Sequence, residues 1–144
     1  MLTLAACGSQ SASTAGSPKT DPATIFPLAV TRTGGIAGFH DVLIVADDGV
    51  VSVTQKGKAQ RRCQLTPEAT QRLTTAANNV PWARVPASSP SASFPDDLVT
   101  IVVSPAGGPI RLEDPLVGAA GPVFSELVND LNGGRSASGM CTPL

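Results

Sequence analysis

Phe39-His40-Asp41-Val42-Leu43-Ile44-Val45-Ala46 and Val50-Val51-Ser52-Val53-Thr54 are two β-rich runs separated by Asp47-Asp48-Gly49. An Asp-Gly pair accepts the positive φ that a tight hairpin needs, so this stretch sets two antiparallel strands side by side. Upstream, Ile25 to Thr33 nearly alternates apolar and polar residues and stops at Gly34-Gly35, which predicts a first strand. Downstream, Thr66 can cap a helix whose first position is Pro67, and Ala69, Leu73, Ala76 and Ala77 fall on one face before Asn78-Asn79. Val80 to Pro95, with Pro81, Pro86, Pro90 and Pro95 among serines, predicts an irregular connection.

Leu98 to Ser104 is almost continuously apolar and suits a central strand. Pro105-Ala106-Gly107-Gly108 turns the chain back into Pro109-Ile110-Arg111-Leu112, an edge strand because proline cannot donate to a ladder. A last helix starts near Gly121-Pro122, aligns Val123, Phe124, Leu127, Val128 and Leu131 on one stripe, and is capped by Gly133. The order β-β-β-α-β-β-α predicts an α+β fold: a mostly antiparallel sheet of about five strands packed against two helices.

Ahead of this domain, Leu4-Ala5-Ala6-Cys7 followed by Gly8-Ser9 resembles the lipobox of bacterial lipoproteins. The resemblance implies that Cys7 is the first mature residue and carries a diacylglyceryl group, with an α-amine open to acylation. Two buried chains, at roughly 0.8 kcal/mol per CH₂, anchor a protein stably. Residues 1–6 are then the remnant of a signal peptide. A full signal has a basic segment and an apolar core of about 7–15 residues, whereas only Met1 to Ala6 precede Cys7. A start codon upstream, a fragmentary chain and a chance match each account for that shortness.

Residues 7–24 are nearly all Gly, Ser, Ala, Thr, Gln and Pro and cannot bury enough apolar surface to order themselves. A random coil of that length spans roughly 20–25 Å. What remains is one domain, 25–132, and a Gly/Ser-rich tail, 133–144. A domain of about 110 residues buries about two-thirds of its unfolded surface.

With Lys and Arg totalling 10 against 11 for Asp and Glu, the chain attracts neither a nucleic acid nor an anionic surface strongly. Lys56, Lys58, Arg61 and Arg62 form its one basic cluster, in what reads as a solvated loop. The absence of Tyr and the single Trp82 argue against stacking platforms for single strands. No apolar run approaches the ~20 residues of a membrane helix.

If Cys7 is lipidated, Cys63 and Cys141 remain as an even pair in an oxidising compartment. Closing their loop contributes at most about 4.5 kcal/mol by chain entropy and pins the tail. The alternative is two unpaired thiols, one in a frayed end.

Catalytic equipment is scarce. His40 is the only histidine, and no zinc-protease, nucleophile-elbow or phosphate-loop motif occurs. Asp47-Asp48-Gly49 lacks the further ligands of a calcium loop. Asp96-Asp97 and Glu113-Asp114 are sequence neighbours, which on a strand face opposite ways. The sequence predicts no enzyme, no cofactor and no metal site.

Val30-Thr31-Arg32-Thr33-Gly34-Gly35-Ile36-Ala37-Gly38 resembles the emfourin-like family of small bacterial inhibitors of thermolysin-type (M4) metallopeptidases. Its feature, a strand ending in Arg-x-Gly-Gly-Phe-Ala-Gly, stands here as Arg32, Gly34, Gly35, Ala37 and Gly38, with Ile36 at the aromatic position. A helix opening at Leu65-Thr66, Pro95-Asp96 before an apolar strand and a C-terminal amphipathic helix extend the likeness over about residues 28 to 132. The lipobox, the tether and the cysteine pair depart from it.

The resemblance implies that Arg32, Gly34, Gly35, Ile36, Ala37 and Gly38 contact a peptidase. Glycines permit close backbone approach, so the loop could lie along a cleft in strand-like fashion while Arg32 meets a carboxylate there. The alternative is a tight bend with a solvated Arg32. The sequence thus predicts an exported binding domain on the outer face of the bacterial cytoplasmic membrane. It is either a metallopeptidase inhibitor or an envelope lipoprotein with a structural, assembly or small-ligand-binding role.

Overall fold

The computed structural model describes residues 24–85, 97–132 and 139–144. Cys7, its flanking lipobox, most of the tether, Pro95-Asp96 and Gly133 lie outside them.

Among the described residues seven strands, β1 (Leu28–Gly34), β2 (Phe39–Val45), β3 (Val50–Gln55), β4 (Arg61–Leu65), β5 (Val99–Ser104), β6 (Gly107–Arg111) and β7 (Cys141–Pro143), form one sheet. Their spatial order is β6-β5-β1-β2-β3-β4-β7, and every pairing is antiparallel. Helices α1 (Pro67–Asn78) and α2 (Ala120–Asn132) complete the α+β architecture.

Alternation within each strand decides what is buried. Leu28, Val30, Leu43, Val45, Val51, Val53, Leu65 and Val102 point to one face and join Leu73 and Ala77 of α1 and Phe124, Leu127 and Val128 of α2 in a single core. Thr66 caps α1 by accepting the Ala69 N–H at 3.2 Å, and Pro67 opens the helix without losing a needed bond. Trp82 is buried in a short 3-10 turn (Trp82–Arg84) and donates its indole N–H to the Ala77 carbonyl at 2.8 Å.

The Asp-Gly hairpin forms as its sequence dictates. Gly49 adopts φ +81, and its N–H bonds to the Ala46 carbonyl at 3.1 Å. A Cβ there would come within 2.7 Å of the Thr70 hydroxyl, so the turn also seats α1.

Two strands exceed the five expected. Arg61 and Arg62, expected in a solvated loop, begin β4, where Arg61, Cys63 and Leu65 turn inward while Arg62 and Gln64 face out. Charge at its start hid a strand that its neighbour β3 specifies. The second is β7, three residues inside a Gly/Ser-rich tail. The Cys63–Cys141 disulfide ties it to β4, beside main-chain bonds from Thr66 to Met140 (2.8 Å) and from Leu144 to Arg62 (3.0 Å). The apolar run of β5 lies between β6 and β1 rather than at the centre, which β2 occupies.

Both edge strands carry a proline, Pro109 in β6 and Pro143 in β7. The Leu112 N–H reaches the Thr100 carbonyl and Ile110 pairs with Val102, which turns Pro109 to the outer side of β6. By the same parity, Met140 and Leu144 face β4 and Pro143 faces away. A missing donor on each edge disfavours strand addition by another chain.

The disulfide is the covalent hold on β7. Replacing Cys63 and Cys141 by alanine is expected to lower unfolding free energy by about 2–4 kcal/mol, measured by denaturant titration of Trp82 fluorescence. A loss under about 0.5 kcal/mol, the usual scatter of neutral substitutions, would mean that β7 is held by its ladder alone.

Candidate functional site

Gly34 to Gly38 is the tip of the β1–β2 hairpin. Register fixes the tip: Gly34 opposes Phe39, Thr33 opposes His40 and Arg32 opposes Asp41. Residues 35–38 make a four-residue turn closed by the Gly38 N–H donating to the Gly35 carbonyl at 2.9 Å. Gly34, Gly35 and Gly38 all have positive φ. At Gly34 a Cβ would also overlap the Asp97 carbonyl oxygen, so only glycine lets the hairpin pass the segment leading into β5. The tip is therefore a compact turn and not an extended segment.

Ile36 stands at the apex with 99% of its surface exposed. Behind it are Phe39 and Leu98, both partly exposed, with Gly35 between them: a Cβ on Gly35 would touch both side chains at 3.5–3.7 Å. A bare isoleucine on this turn, backed by two further apolar side chains, buries nothing in the core. It is the kind of anchor that protein interfaces bury.

Arg32 is neither free for a partner nor solvated. Its Nε and Nη2 donate to one carboxylate oxygen of Asp41 at 3.0 and 2.7 Å, with the two side chains 14% and 4% exposed. The guanidinium also lies over the Phe39 ring, 4.5 Å from its centroid, a contact worth about 0.5–2 kcal/mol depending on desolvation. Asp41 thus fixes Arg32, and Arg32 fixes the ring beside the apex.

The polar row continues across the sheet. Asp41 opposes Gln55 on β3, whose amide N–H₂ makes a long 3.5 Å contact to the other Asp41 oxygen. Gln55 Oε1 accepts from Arg61 Nη2 at 3.2 Å, and Arg61 Nη2 donates at 2.7 Å to the Leu131 carbonyl in the last turn of α2. A cation there satisfies a carbonyl that the helix end leaves unpaired. The hairpin base is in this way linked to the core helix.

Next to Leu98 lies an open groove of about 390 Å³ lined by Asp97, Val99, Arg111, Glu113 and Asp114. Among the described residues no three His, Cys, Asp or Glu side chains are grouped to hold a metal ion, and no helix is long and apolar enough to cross a membrane. His40 is exposed on β2, with its main-chain carbonyl bonded to Lys56 N–H.

Of the expected contact residues, Gly34 to Gly38 sit together at the apex, whereas Arg32 lies beneath it. Phe39, Asp41 and Leu98 complete the arrangement and were missed by sequence reasoning. A four-residue loop assumed at 35–38 pairs Arg32 with Asp41 by register, so two of the three were within reach; Leu98 arrives from a distant strand.

Asp41→Asn keeps the shape and removes the charge that neutralises a largely buried guanidinium. Its expected cost is about 2–4 kcal/mol, by chemical denaturation. A cost below about 0.5 kcal/mol would class the pair with exposed ion pairs. Comparison of the chain with protein-family models, with curated proteins and with solved structures gives no match.

Proposed function

We infer that this chain is an exported, lipid-anchored binding domain that inhibits a thermolysin-type metallopeptidase by presenting the β1–β2 hairpin tip to it. The observation that carries the reading is Ile36, wholly exposed on a turn that the Gly38–Gly35 hydrogen bond and the Arg32–Asp41–Phe39 stack hold in one shape. A preorganised tip loses little entropy on binding.

Turn geometry changes how such a tip would work. Substrates enter protease clefts extended, using strand-like hydrogen bonds. Here the Gly35 carbonyl is already taken by Gly38, and the glycine torsions curl the backbone. The tip would plug a pocket with Ile36 and seal its rim with Phe39 and Leu98, and the peptide would not lie along the cleft for cleavage. The resemblance of residues 30–38 to emfourin-like inhibitors supplies the partner class, and the Leu4-to-Cys7 motif supplies the anchor.

Against a panel of thermolysin-type peptidases the oxidised chain is expected to inhibit at least one, and Ile36→Asp to weaken inhibition about 100-fold or more, the loss of a central anchor of roughly 2–4 kcal/mol. A folded chain that inhibits no member would remove the peptidase as partner. For the anchor, the chain placed behind a complete signal peptide should fractionate with bacterial membranes, and Cys7→Ala should release it; membrane retention of that variant would contradict lipidation at Cys7.

A further inference from the structure

Strand directions gather several charged segments at the end of the sheet that carries Ile36. β1 runs up to the apex. β3, antiparallel to β2, ends beside it, β5 starts beside it, and β6 ends next to the start of β5. Main-chain contacts fix both neighbours: the Lys56 N–H donates to the His40 carbonyl at 3.1 Å on one side, and on the other the Asp97 carbonyl oxygen occupies the place a Gly34 Cβ would take.

Charge is divided across the apex. On the β3–β4 side Lys56, Lys58, Arg61 and Arg62 are all exposed. Lys58 and Arg61 donate to the Gln55 side-chain oxygen at 3.3 and 3.2 Å, a neutral acceptor, so that contact leaves both charges in place. On the β5–β6 side Asp97, Glu113 and Asp114 share the groove beside Leu98 with one guanidinium, Arg111. Among the described residues no ion pair joins Arg111 to any of them. Asp97 and Glu113 are exposed whereas Arg111 is half-buried, so an arriving surface meets the carboxylates first.

The net charge of −1 conceals this division. β5 and β3 are three strand spacings apart, about 14 Å. That exceeds the Debye length of about 8 Å at 0.15 M salt, so the two signs act on different parts of a partner rather than cancelling.

We propose that this end docks in one orientation on a partner whose apolar pocket is flanked by an acidic surface, facing Lys56 and Lys58, and a basic surface, facing Asp97 and Glu113. This rests on the reading of the apex as a peptidase contact, and it names the charge pattern such a peptidase carries around the pocket that takes Ile36. Ile36 has no charge and can be buried in any rotation about its own axis; the rim removes that freedom. A partner turned end for end would set like charge against like on both sides, and such juxtaposition costs several kcal/mol.

Rim charges act mainly on the rate of encounter and its salt dependence, so association rates test this. They are read from progress curves of peptide hydrolysis, using the peptidase that the oxidised 144-residue chain inhibits most tightly in the panel. At about 10 mM salt, where charges act over about 30 Å, Lys56→Glu/Lys58→Glu and Asp97→Lys/Glu113→Lys are each expected to slow association at least tenfold. One lowers the net charge and the other raises it, so only a divided rim slows both. Asp47→Lys, at the opposite end of the sheet, should leave the rate unchanged. All five positions are exposed, and Trp82 fluorescence reports that each variant is folded.

If either double variant associates as fast as the parent chain or faster, or if Asp47→Lys slows association equally, the proposal is overturned. Inhibition that Ile36→Asp still weakens would then leave the peptidase reading standing without the oriented rim. A folded chain that inhibits no panel member would overturn both.

Discussion

The Asp41 carboxylate is the constraint on which the rest of this molecule turns. It sits on the central strand, on the core-facing side, 3% exposed. A carboxylate in that position is tolerable only with a cation and further donors around it. Arg32 from β1 supplies the cation and Gln55 from β3 a weaker contact, so three strands are tied in register at one end of the core. Arg61 extends the tie to α2. Because Arg32 is also the platform for Phe39, the charge that closes the core sets the shape of the hairpin apex above it.

Surfaces follow from the same layout. A seven-stranded sheet with both helices on one side has an occupied face, an open face, two edges and the hairpin ends. Prolines 109 and 143 blunt the edges, and the Asp47–Gly49 hairpin end is seated against α1 through Gly49 and Thr70. Among the described residues the apex at Ile36 is a single protruding anchor, and the outer face of β5, β1, β2 and β3 is a shallow plane. The disulfide belongs to neither. It holds β7 against β4, with Cys141 opposite Leu65, and the neighbouring Met140 carbonyl accepts the N–H of Thr66, the cap of α1.

The fold class was legible because its signals are local. An Asp-Gly turn, a Thr-Pro helix start and the stripe from Phe124 to Leu131 each report on residues a few positions apart. What was illegible depends on distant neighbours. Arg61-Arg62 reads as solvent-loving until β3 lies alongside and lets one arginine reach the end of α2. Cys141 to Pro143 is too short a run to read as a strand and pairs with β4, a distant neighbour, beside the Cys63–Cys141 bond. At the apex the glycines announced a bend, but not whether it was extended or curled; the Gly38–Gly35 bond and the Asp97 carbonyl pressed against Gly34 decide that. Arg32 looked available to a partner because its counter-ion lies on the next strand.

A rigid apex is the central claim, since a pliant one would be merely a loop with an exposed isoleucine. Backbone ¹⁵N relaxation on the free chain measures it directly. Order parameters for residues 35–38 are expected close to the ~0.85 of the sheet, whereas values below ~0.6 would mean that the Arg32–Asp41–Phe39 stack does not hold the tip and would contradict a rigid apex.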